Sequence, residues 1–115
     1  MNNKNFEKVK ELVLEWADDK DLLHEENSDK QFMKFIEEVF EFKTEFDSSI
    51  GFINRDLVDI REDMMLEMGD IFVTLIILCE DLEIDPVVCL EMAYEKISKR
   101  KGKTINGTFV KSEDL

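Results

Sequence analysis

The chain has 115 residues and carries 15 Lys and Arg against 28 Asp and Glu, a net charge of −13. One domain is the expectation at this length, and the missing basic footprint argues against duplex DNA or an anionic membrane as the main partner. With 43% hydrophobic residues the chain is too apolar for disorder, and one Pro and four Gly are too few for a turn-rich β-sandwich.

Phe6, Val9, Leu12, Val13 and Trp16 recur at spacings of three and four, which predicts a first helix from about Asn5 to Asp18. Asp18 to Asp21 and Glu25 to Ser28 read as a connection, with Ser28 as N-cap of the next helix. That second helix is expected from about Asp29 to Asp47, with Phe32, Phe35, Ile36, Val39, Phe42 and Phe46 inward, and Ser48-Ser49-Ile50-Gly51 should break it. A third helix is expected from near Asn54 to Asp56 up to about Leu82. Its apolar stripe is Met64, Met65, Met68, Phe72, Leu75, Ile76 and Cys79. Asp85 fits an N-cap and Pro86 the first turn of a fourth helix, which should run to about Arg100.

The tail from Lys101 to Leu115 differs in kind. Asn106-Gly107 between Ile105 and Phe109-Val110 is a hairpin-turn signal. Lys96 to Lys111 holds six basic residues and no acidic one. The fold class expected is therefore all-α, four helices with a short irregular or β-like C-terminal tail, in one domain spanning 1–115. Met1 to Lys10 is polar and mixed in charge, unlike a secretory leader. The nine residues Ile71 to Cys79 are too few to cross a bilayer as a helix. Cys79 and Cys89 read as reduced thiols among apolar neighbours. The cytoplasm is the expected compartment.

Four acids on two helices stand out. Glu38 and Glu41 are three apart on the second helix, and Glu67 and Asp70 are three apart on the third, so each pair projects from one helical face. The first face continues to Lys34 and Glu45, the second to Asp63 and Thr74. Acids on helices ordinarily make a solvated face. These, however, are embedded among apolar residues, where clustered like charges are costly to desolvate unless something neutralises them. Carboxylates without His or Cys suit Mg²⁺, with Mn²⁺ as a substitute. His24 reads as a surface residue, Thr74 as a possible donor to the acids, and the methionines as gap-filling core or interface.

The run E-E-x-x-E at Glu37-Glu38 and Glu41, then 25 residues, then E-x-x-D at Glu67 and Asp70, resembles the all-α nucleoside triphosphate pyrophosphohydrolases, in particular the short MazG-like branch. The resemblance covers most of the chain. It includes Trp16, Gln31 to Lys34, Lys96 to Arg100, and the tail from Gly102 to Lys111. What it implies is cleavage of a nucleoside triphosphate between the α- and β-phosphates, giving the monophosphate and pyrophosphate. The metal ligands would fall on Glu38, Glu41, Glu67 and Asp70, and Glu37 would support the site or orient the attacking water. Lys96, Lys99 and Arg100 would contact substrate phosphates, and Lys34 and Trp16 are further candidate substrate contacts. Relatives often place Asn just before the basic run, where this chain has Tyr94. The family forms dimers or dimers of dimers, which implies a homo-oligomer here. Two other readings stand beside this one. The chain could be a narrower pyrophosphatase for dUTP, dCTP or phosphoribosyl-ATP, or a non-enzymatic helical interaction protein whose acids only solvate a bundle face.

Overall fold

A computed structural model describes residues 5–51 and 57–115, with the backbone alone at 49–51 and 57–59. Among the described residues the fold is mostly helical. Four helices, α1 (Phe6–Asp19), α2 (Ser28–Gly51), α3 (Leu57–Asp81) and α4 (Pro86–Ser98), are followed by a hairpin of β1 (Gly102–Ile105) and β2 (Thr108–Lys111). The chain divides into two compact units, residues 1–84 and residues 85–115.

In the first unit, α3 packs chiefly on α2 and to a lesser extent on α1. Asn5 caps α1, its side-chain oxygen accepting the Lys8 amide at 2.8 Å. The helix ends with Asp21 at a positive φ of 60° and the Leu22 amide donating back to the Ala17 carbonyl at 2.9 Å. The end of α3 repeats this device, with Glu83 at φ 59° and the Ile84 amide on the Cys79 carbonyl. These left-handed terminal residues satisfy carbonyls that the helix itself leaves open.

Two expectations for α2 need correction. Ser28 is not its N-cap: a single 3₁₀ turn, Glu25–Asn27, leads in, and Ser28 is already helical, its hydroxyl donating to the Glu25 carbonyl at 2.6 Å. Nor does Ser48-Ser49-Ile50-Gly51 break the helix, which continues through Gly51. Ser and Gly are poor helix formers but cost only about 1 kcal/mol or less per residue, too little to stop a long helix. The expected start of the third helix at Asn54 to Asp56 lies outside the described residues.

Among the described residues, Ala17, Ile60, Ile76, Ile77, Leu78 and Cys79 are the buried apolar ones. Several residues expected inward are instead exposed, among them Phe32, Val39, Phe46, Met65, Met68 and Phe72. An apolar stripe wider than the line along which two helices touch cannot be covered by one neighbour. Thr74 is buried, but its hydroxyl donates to the Ile71 carbonyl of its own helix rather than to the acids. Among the described residues, no helix is long and apolar enough to cross a membrane.

The second unit begins where Asp85 caps α4, its carboxylate accepting the Val87 amide at 2.7 Å with Pro86 in the first turn. The helix stops at Ser98. Lys99 is its C-cap, so the helix ends short of Arg100, its expected end. Asn106 at φ 51° and Gly107 at φ 81° make the tight turn, and β1 and β2 pair antiparallel from Gly102↔Lys111 to Ile105↔Thr108. Two positive φ angles in succession match the right-handed twist of a two-residue hairpin. At Gly102 an added Cβ would meet the Val110 carbonyl oxygen at 2.1 Å and the Phe109 ring at 2.8 Å, so only glycine fits against the facing strand. Cys89 is exposed, unlike buried Cys79, and neither is in a disulfide.

Candidate metal centre

Helical spacing puts Glu38 and Glu41 on one side of α2 and Glu67 and Asp70 on one side of α3. Packing of the two helices then brings one carboxylate oxygen each of Glu38, Glu67 and Asp70 within 4.8 Å of one another. Glu38 is buried, only 7% exposed, while Glu67 is half-buried and Asp70 exposed. Glu38 Oε2 and Glu67 Oε2 are buried and have no hydrogen-bond partner. Buried carboxylate oxygens rarely go without a donor, because the desolvation then has no return.

Glu41 is exposed and stands outside the trio, at its edge. A hydrogen bond with the Glu38 carboxyl, reinforced by the charge of Glu38, holds the Glu41 pKa above the ordinary carboxylate value. Neighbouring carboxylates disfavour the ionisation of one another. Burial pushes the Glu67 pKa up, and the charges of Asp70 and Glu38 add to it, followed by those of Glu45 and Asp63. The acid field therefore extends along the α2–α3 seam beyond the four residues singled out from the sequence.

Among the described residues, one cation enters this field. Lys34 Nζ lies 3.5 Å from Glu37 Oε2 and 3.3 Å from Glu38 Oε1. The hydrogen bond to Glu38 raises the lysine pKa, keeping the ammonium charged. Glu37 does not join the trio: it is exposed and faces Lys34.

Asp70 also borders two open cavities between α1 and α3. One, of about 670 Å³, is lined by Phe6, Val9, Lys10, Val13 and the α3 residues from Met65 to Ile76 that face α1, including Gly69. The other, of about 400 Å³, runs past Val9, Leu12, Val13, Trp16 and Val73. Trp16 is 50% exposed, so its ring forms a wall rather than a filled core. Gly69 adds room: a Cβ built there would meet nothing within 4 Å. Lys10 was not legible as a site residue. It is buried at this wall and paired with Glu7 at 3.1 Å, and its place within the apolar stripe of α1 was the available signal.

Lys96, Lys99 and Arg100 are exposed residues of the second unit. Comparison with known protein families, characterised proteins and solved structures finds no match for this chain.

Proposed function

We propose that the chain is a Mg²⁺-dependent nucleoside triphosphate pyrophosphohydrolase of the MazG-like kind, releasing the monophosphate and pyrophosphate. The observation that carries this reading is the convergence of Glu38, Glu67 and Asp70, two of whose oxygens are buried without a donor. The donor set fits the ion. All-carboxylate ligation suits a hard divalent cation, and Mg²⁺ keeps open positions for water and phosphate oxygens. When bound, such an ion neutralises phosphate charge and lowers the pKa of a coordinated water.

The residues singled out have distinct parts in this reaction. Glu38, Glu67 and Asp70 hold the cation, and Glu41 completes the set from the edge of the site. Glu37 supports Glu38 through their shared contact with Lys34. The apolar groove past Asp70, with Trp16 as an aromatic wall, offers a surface on which a base can stack. Lys96, Lys99 and Arg100 are open to phosphate oxygens, and the arginine can grip two at once. Exposed apolar residues such as Leu66, 70% exposed, and Phe40, 67% exposed, support a homo-oligomer, because single chains seldom leave so many uncovered.

A panel of ribo- and deoxyribonucleoside triphosphates assayed for pyrophosphate release with Mg²⁺ tests the reading and ranks the substrates, dUTP and dCTP included. Glu38→Gln and Asp70→Asn should each abolish release while leaving the helical circular dichroism intact. Wild-type turnover in either variant at saturating Mg²⁺ refutes the assignment.

A further inference from the structure

Lys34 stands one helical turn before the acids of α2, and its ammonium bridges two of them, Glu37 Oε2 at 3.5 Å and Glu38 Oε1 at 3.3 Å. Glu38 is thereby divided. Its Oε1 faces Lys34, while Oε2 is buried without a partner and the carboxylate converges with those of Glu67 and Asp70. Among the described residues, Lys34 is the only cation within 4.0 Å of any of Glu38, Glu41, Glu67 and Asp70. Its side chain is half exposed, so the ammonium stays at the rim while Glu38 goes inward.

A positive charge so placed has two consequences. In the metal-free protein it offsets part of the repulsion within the acid cluster. Toward an arriving divalent cation it is a fixed like charge a few ångströms from the ligands.

We propose that Lys34 is a tethered counter-ion of the acid cluster, which stabilises the metal-free site and weakens cation binding in the absence of nucleotide. This rests on the metal reading above and adds to the expected role of Lys34 as a substrate contact. It accounts for the asymmetry of Glu38, with one oxygen matched to an internal cation and the other left for an external one. A threshold of this kind favours entry of the ion together with a triphosphate, whose own negative charge draws the ammonium away from Glu38.

The test is Mn²⁺ titration of the full chain without nucleotide, read as free Mn²⁺ by electron paramagnetic resonance. Lys34→Met removes the charge and keeps most of the apolar stem, and Lys34→Gln repeats the test with a polar replacement. Both should bind Mn²⁺ about twentyfold more tightly, the factor expected for one unit charge about 4–5 Å from a divalent ion under water-like screening. Lys34→Arg keeps the charge and should stay within about twofold of wild type on the same ground. Lys43→Met makes the same change in net charge on the same helix, where Lys43 pairs with Asp47 at 2.8 Å, and should leave affinity unchanged. Unchanged or weaker binding in the Lys34→Met and Lys34→Gln variants overturns the proposal, as does equal tightening in Lys43→Met. If the wild-type protein itself fails to bind Mn²⁺, the metal reading falls and this proposal with it.

Discussion

Replacing Glu67 with Gln keeps the side chain's shape and removes one charge from a crowded set. Two unit charges 4.8 Å apart, the outer bound for oxygens of the trio, repel by about 0.9 kcal/mol in water and about 3.5 kcal/mol at an effective dielectric constant of 20. Glu67 meets two such charges, Glu38 and Asp70, and no cation within ion-pair distance offsets them among the described residues. Because Asp70 is exposed, screening brings the relief toward the lower figure, to about 1–2 kcal/mol in total. The metal-free Glu67→Gln protein should therefore melt several degrees above wild type, at about 4 °C per kcal/mol for a chain of this size. With metal the order reverses. A cation present at a hundredfold its Kd stabilises a folded protein by about 2.7 kcal/mol, a gain the wild type should show and the variant should largely lose. Thermal melts in EDTA and in Mn²⁺ read both effects on the same samples. A lower melting temperature in EDTA, or an undiminished gain with Mn²⁺, would refute the reasoning.

Gly69→Ala should add about 0.5–1 kcal/mol of stability, since the helical position is open and Ala orders more cheaply; if the α1–α3 groove holds the base, KM should rise in the same variant. Gly102→Ala should unpair the hairpin, because no Cβ fits 2.1 Å from the Val110 carbonyl oxygen, and amide exchange should accelerate at 103–111 while helical dichroism is kept. The hydrogen bond that His24 Nε2 donates to the Asp21 carboxylate at 2.5 Å raises the His24 pKa above 6.5, so its contribution to stability is fully present below that pH and lost as pH climbs through the raised value. Urea unfolding at pH 6 and pH 9 should show this loss, and Asp21→Asn should flatten it. Asp81 is 3% exposed, its oxygens lack a partner in hydrogen-bond geometry although the His24 amide faces them, and burial raises its pKa. Asp81→Asn should accordingly stabilise the protein at pH 7, with an advantage that shrinks as pH falls and the native carboxyl takes up its proton; a variant less stable at pH 7 would show that the charge has a partner.

Helix periodicity is local, and what depends on it was legible in the chain. Glu38 with Glu41 and Glu67 with Asp70 share faces because residues three apart must do so. Asp85-Pro86 starts α4 and Asn106-Gly107 turns the hairpin because each pair prefers the backbone angles found there. Relations between helices were not legible. The rotation of α2 against α3 decides that Glu38, rather than its neighbours Glu37 and Glu41, meets Glu67 and Asp70. It also leaves buried Glu38 oxygen atoms on two different sides, one toward Lys34 and one without a partner. The same packing decides which part of each apolar stripe is covered, so that Ile76 and Ile77 are buried while Phe72 on the same helix is not. Spacing along a helix follows from bond geometry alone, whereas the angle between two helices is the outcome of all the side chains that fit between them.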